Sequence, residues 1–273
     1  LSDRFRGVYD KSRFSTYIQL PRSAVYVTPG LLEVPSARRY AANLQADFRG
    51  STQFPPVGND EPLVRSFLQH FFLAESDYKP YETHLDDNYL KRVFAETKIL
   101  QGTGDIEQWS ALLPPEQYQA LKQRVDLDFA FTNSRLFESG EPVRMDLHVK
   151  NVRTLIVKVY EINTGNYYRQ NLREANTDIN LDGLVANQEQ TFDYDEPALR
   201  RVARHFEFPE LSKPGVYVID FIGNGKSSRA VVRKGRIQHT VRTGAAGHVF
   251  TVMNERNEKL SDTTLWLAGH LYQ

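Results

Sequence analysis

The chain has 273 residues, 40% hydrophobic and 12% aromatic, enough to bury a sizeable core and too apolar for wholesale disorder. Its 34 basic and 34 acidic side chains cancel. Neither half holds the basic surplus that a phosphate backbone demands, so nucleic acid is not an expected partner. With no cysteine, disulfides, thiolate chemistry and cysteine–zinc sites are excluded.

The length allows about two domains. No apolar run approaches the ~20 residues needed to span a bilayer, so no transmembrane segment is expected. Leu1 opens the chain without a signal-peptide pattern, which reads as a fragment or a mature chain.

Residues 1–57 read as irregular, broken at Pro21, Pro29, Pro35, Pro55 and Pro56. Within them Ser36 is placed to cap a short helix with Tyr40, Leu44 and Phe48 on one face and Gly50 at its end. A firmer helix starts at Asp60-Glu61-Pro62 and carries Leu63, Phe67, Leu68, Phe71 and Phe72 at helical spacing. Another runs from Asp86 or Asp87 through Leu90, Val93, Phe94 and Leu100 to Gly102, a left-handed terminator. Asp105 caps a short helix bearing Trp109, and Pro115 begins one with Tyr118 and Leu121. His70 and His84 lack the i, i+4 pairing of a helical zinc motif and read as structural, and Trp109 reads as a core anchor. Residues 1–125 are thus expected to form a mainly helical domain.

After Arg124 the apolar period changes from about 3.6 to 2. Leu127, Phe129 and Phe131 alternate with polar neighbours. Past the turn 138–142, Val143, Met145, Leu147 and Val149 face inward, with Arg144, Asp146, His148 and Lys150 outward. Thr154 to Ile162 and Arg204 to Phe208 supply further strands. Val216 to Ile222 and Ser227 to Arg233 flank Gly223-Asn224-Gly225-Lys226, a hairpin turn in which asparagine and glycine take positive φ. Gly225-Lys226-Ser227 imitates a phosphate-binding loop, but Asp220 stands where that motif needs glycine and a strand follows where it needs a helix, so no nucleotide is expected. Residues 126–235 are therefore read as one antiparallel β-sandwich.

Beyond Gly235, Val249 to Met253 and Thr264 to Leu267 read as strands joined by 254–258. They are too few for a sandwich, so residues 236–273 are expected to be the opening strands of a further, truncated β-domain. Trp266 belongs to its core, or stands exposed without it.

Asn163 to Ala203 shows no strong periodicity, and a loop of that length is a place to look for function. Inside it Asp178, Asn180 and Asp182 occupy positions 1, 3 and 5 of a calcium-loop pattern. Gly183 follows at position 6, the Leu184 carbonyl at 7 and Glu189 at 12. The competing reading turns Ile179 and Leu181 inward from a short strand that ends in an Asp-Gly turn.

Several of these stretches carry a family likeness. They are Gly140-Glu141-Pro142-Val143, Val149-Lys150-Asn151-Val152, Leu155 to Tyr160 and Pro214-Gly215-Val216-Tyr217. With Gly247-His248-Val249-Phe250 through Leu260 to Trp266, they resemble the macroglobulin-like β-sandwich domains of alpha-2-macroglobulin-type proteins, bacterial ones included. The likeness covers about residues 127–273. It leaves the helical first part unexplained and implies an immunoglobulin-like sandwich followed by the start of a second β-domain, so with the helices read above the chain is expected to be α+β. It also implies a secreted or periplasmic scaffold whose partners are neighbouring domains or other proteins. The thioester of that family is impossible here without cysteine.

The function expected from the sequence is a non-catalytic structural or interaction module, with no cofactor. An alternative is a calcium-stabilised sandwich that binds carbohydrate or protein, with Tyr167, Tyr168 or Trp266 as platforms. A third is a glycoside hydrolase, which needs two carboxylates about 5–10 Å apart in a cleft.

Overall fold

A computed structural model of the chain describes residues 1–28, 30, 33, 35–47, 49–53, 56–245, 247–267 and 269–272. Pro29, Phe48 and Pro55, which entered the reading of the first 57 residues, lie outside the described residues. The chain divides into two compact units. The first comprises Leu1–Thr132, His148–Arg153 and Tyr194–Arg204, and the second Asn133–Leu147, Thr154–Asp193 and His205–Gln273.

The first unit is helical. Its helices are α1 (Ser2–Phe5), α2 (Lys11–Ile18), α3 (Pro35–Arg39), α4 (Arg49–Thr52), α5 (Glu61–Phe72), α6 (Asp87–Gln101), α7 (Ile106–Ser110) and α8 (Pro115–Gln123). Helices α5 and α6 form its centre because each keeps one apolar face. Val64, Phe67, Leu68, Phe71 and Phe72 of α5 are buried in one cluster with Leu90, Val93 and Phe94 of α6. Phe72 meets Phe94 edge-on at 5.0 Å. The Asp86 carboxylate caps α6 by accepting from the Tyr89 amide at 2.9 Å, and Gly102 closes it at φ 66°.

The reading of residues 1–57 as irregular misses α2. Asp10 caps that helix from Arg13 N at 2.9 Å, and its Phe14 stacks on Phe67 at 5.4 Å. The helix expected from Ser36 to Gly50 is also corrected. Helix α3 stops at Arg39, leaving Tyr40 72% exposed, and Gly50 lies inside α4 instead of ending a helix. A single turn with no apolar face has nothing to bury, so it does not propagate.

The remaining elements are β1 (Asp126–Phe129), β2 (Leu136–Phe137), β3 (Val143–Lys150), β4 (Thr154–Ile162), α9 (Thr164–Asn171), β5 (Gln188–Asp193), β6 (Arg201–Phe208), β7 (Gly215–Gly223), β8 (Lys226–Lys234), β9 (Gln238–Gly244), β10 (Gly247–Met253), β11 (Leu265–Leu267) and β12 (His270–Tyr272). A five-stranded sheet has the order β2-β8-β7-β4-β5, and a three-stranded sheet the order β1-β3-β6. In the five-stranded sheet the pairings are antiparallel, apart from the two-residue parallel contact of β2 with β8. Within the second unit Phe206 and Phe208 of β6 meet Phe221 of β7 edge-on at 5.1 and 6.4 Å, so this part of β6 packs on the five-stranded sheet. The chain is thus α+β, with helices first and a β-sandwich after.

The β7–β8 hairpin lies at the sheet centre. Its two-residue loop puts Asn224 at φ 45° and Gly225 at φ 76°, the paired positive angles of a primed turn. Val143, Met145, Leu147, Val149, Val157, Val159, Val218 and Ile219 are all buried, as the period-2 pattern requires.

Two alternations fail at their ends. Phe131 is 47% exposed because β1 stops at Phe129. Lys150, assigned outward, is 1% exposed. Its ammonium donates to the Arg124 carbonyl at 2.6 Å.

The pairing expected beyond Gly235 is different too. Strand β10 pairs with β9, and β11 pairs with β12, giving two separate ribbons. Strand β9 is polar and ends in glycine, and β12 has three residues, so neither shows an apolar alternation.

Candidate functional site

The acidic loop was the one metal candidate, and two of its three carboxylates have basic partners. Arg173 Nη1 donates to Asp178 at 2.7 Å, and the Asn180 side-chain oxygen accepts from the Asp182 amide at 2.9 Å. Glu189 belongs to β5, opposite Lys158 of β4, whose Nζ is 3.3 Å away. Leu184 is 50% exposed. Ile179 and Leu181 point inward, in a cluster with Tyr160, Ile162, Val218 and Val231. Among the described residues no three His, Asp or Glu side chains gather as a metal ion would need. Ile179 and Leu181 are buried although the stretch is not a strand, and Arg229 holds the Ile179 carbonyl at 3.1 Å.

The expectation of a forty-residue loop without regular structure is corrected. Asn163 caps α9 from the Asn166 amide at 3.0 Å, and β5 and the start of β6 lie further along, with residues 172–187 and 194–200 outside regular elements. Strand β5 is a polar sheet edge, which gives no apolar alternation. Tyr168, 44% exposed, meets Trp266 edge-on at 5.8 Å, and Tyr167 packs beside the Ile179 cluster.

Asp47, Asp87 and Glu255 are held below the usual carboxylate range, each by its leading hydrogen bond: from the Arg49 side chain, the Lys91 ammonium and the Ser139 amide. These shifts favour the charged form, the opposite of what a glycosidase acid needs. His70 stacks on Tyr9 at 3.9 Å, and burial lowers its pKa.

The feature that does resemble a binding site is a cleft of about 750 Å³ in the helical unit. The start of α5, the first half of α6 and the turn 23–26 form its walls. At its floor lies Asp60, 1% exposed, and this residue does not cap α5 with its side chain. Its carboxylate instead accepts from Tyr17 at 2.7 Å, from Tyr26, and from Arg22 Nε at 2.8 Å. Arg22 is fully buried, its Nη1 on the carbonyls of Ile18 and Leu20 at 3.2 and 3.0 Å. Burial, followed by the Asp60 hydrogen bond, pushes both tyrosines far above their ordinary pKa, so they remain neutral donors.

The cleft wall carries Glu61, Arg65, Asp86, Tyr89 and Arg92. Glu61 accepts from Arg65 at 2.7 Å and from Tyr89 at 3.1 Å, and Arg65 also reaches Glu96 at 2.8 Å. Arg92 has only the Asn88 carbonyl of its own helix, at 3.3 Å, and no carboxylate within ion-pair distance among the described residues. Val25 stands at the rim fully exposed. No sequence pattern pointed here, since the groups that meet are far apart in the chain.

Residues 1–125 match the family model described as the Actin-binding protein F N-terminal domain. Residues 155–235 match the model of the AbpF first immunoglobulin-like domain. Both models are named for one protein. The sandwich is therefore immunoglobulin-like. Across 268 residues, 97% of its length, the chain is 36% identical to Actin-binding protein F of Dictyostelium discoideum. It spans 11% of that relative.

A crystal structure of native alpha-2-macroglobulin from Escherichia coli, spanning domains MG0-NIE-MG1, is similar at a TM-score of 0.32 and 14% identity. That match covers 49% of this chain and 46% of that one. A likeness at this level carries no argument, so the macroglobulin context expected from the sequence has no support. The relative matched along the whole chain is an actin-binding protein instead.

Proposed function

We propose that this chain is a non-catalytic interaction module that binds actin. The observation that carries the reading is the match to Actin-binding protein F over 97% of the chain, through both the helical part and the sandwich. The neutral overall charge and the multidomain make-up agree with a protein partner. On this reading residues 1–125 and 126–235 are successive domains, and 236–273 opens a further β-domain. A specific observation favours that last step. No described residue from 236 to 272 is buried, and Ile237, Val249 and Leu271 are more than half exposed. Two-stranded ribbons of this kind are marginal until another layer covers them.

The test is filament decoration. Fluorescently labelled chain should coat actin filaments in microscopy, and unlabelled chain should compete it off. Uniform background along filaments, at concentrations where a known side-binder decorates them, would reject the reading.

A further inference from the structure

We infer that the cleft of the helical unit is the docking site for an acidic segment of the protein partner, with Arg92 receiving its carboxylate and Val25 an adjoining apolar side chain. The inference rests on the reading of this chain as a protein-binding module.

The argument is one of charge left over. In the cleft floor Asp60 is neutralised by Arg22 and two tyrosine hydroxyls. On the wall Glu61 is matched by Arg65, and Asp86 accepts from the Tyr89 amide at 2.9 Å. Arg92 alone among the charged lining groups described has neither an ion-pair partner nor a capping role. A guanidinium in that position offers the planar fork that a carboxylate fits bidentately. Phosphate suits the place less well, because Asp86 and Glu61 line the same cleft and repel a second negative charge.

The apolar half of the ligand follows from Val25. Its side chain is fully exposed at the rim, and Leu44 lines the same cleft. An occupant that brings a carboxylate and a neighbouring aliphatic group would cover both features at once. A cleft of about 750 Å³ is large enough for a few residues of peptide.

The test uses the whole chain and a blocked peptide alternating leucine and glutamate, titrated by NMR. Saturable shifts of the Tyr26, Tyr89 and Arg92 signals are expected. Arg92→Glu should weaken binding at least tenfold and Arg92→Lys by less, while Val25→Asp should also weaken it. Arg92 is partly exposed, so circular dichroism of each variant should match the parent. A peptide with lysine in place of glutamate should give no shift.

Absence of shifts at these three residues would overturn the inference, as would equal binding by Arg92→Glu. Shifts from inorganic phosphate alone, without any from the acidic peptide, would overturn it too. Peptide binding in the cleft combined with no filament binding would leave this inference standing and defeat the actin reading instead, so the two failures are separable.

Discussion

The substitution Asp60→Asn gives the sharpest test of how the helical unit is held together. The carboxylate faces a fully buried guanidinium at 2.8 Å and two tyrosine hydroxyls. At that separation the Coulomb attraction is about 6 kcal/mol for an effective dielectric of about 20. Asparagine keeps one acceptor and loses the charge. Arg22 would then sit buried as a cation with only neutral partners, backbone carbonyls and the Tyr26 hydroxyl, and its Nη2 already lacks a hydrogen bond among the described residues. The expected loss is about 3–5 kcal/mol. Arg22→Met alone should also destabilise, because it strands Asp60. The double variant should cost less than the sum by about 2 kcal/mol or more.

Urea unfolding would measure this through Trp109, which lies edge-on to Phe94 at 5.6 Å in the same unit. The chain has two tryptophans, so Trp266→Phe would leave Trp109 as the single reporter. A cost under about 1 kcal/mol for Asp60→Asn, or strict additivity of the two singles, would refute the reasoning.

Lys150, whose burial lowers its pKa to about 8, should make stability rise as pH goes from 8 towards 10. Over that range the unfolded lysine still binds the proton that the folded one has released. Chemical denaturation across this range should show that slope, and it should flatten in Lys150→Met; an unchanged slope counts against a perturbed amine. For calcium, Asp178 and Glu189 would each have to leave a basic partner, so millimolar calcium should not change the melting temperature. A calcium-specific rise abolished by Asp182→Asn would contradict this and establish the loop as a site. Gly225 and Gly235 share φ 76°, but a Cβ at Gly225 meets nothing, whereas at Gly235 it meets Pro214 Cβ at 2.9 Å. Gly225→Ala should cost about 1 kcal/mol and Gly235→Ala about 2 or more, as read from urea midpoints; equal costs would contradict the close approach.

What the sequence made legible was whatever repeats locally. Helices α5 and α6 could be read from apolar spacing and end signals, and β3, β4 and the central hairpin from alternation and from Asn224-Gly225. Helix α2 was not legible, because it buries only Phe14 and Ile18 and so shows little periodicity. Strand β5 was hidden because a sheet edge needs few apolar residues, and only Phe192 packs inward, on Phe206 at 5.3 Å. Lys150 broke the alternation where β3 ends beside the Arg124 carbonyl, a contact 26 residues away in sequence. The cleft was illegible for the same reason on a larger scale, since Asp60 meets Tyr26 and Tyr17 across 34 and 43 residues. In the acidic loop a ligand pattern and an inward-facing pattern overlapped on the same residues, and the structure shows Ile179 and Leu181 packed in the core.

The most direct test of the account is a sedimentation titration of residues 1–273 with actin filaments at low and moderate salt. The predicted result is a saturable fraction pelleting with filaments, reduced by Arg92→Glu, while the chain alone stays in the supernatant. No pelleting above the chain-alone control at any filament concentration would contradict it.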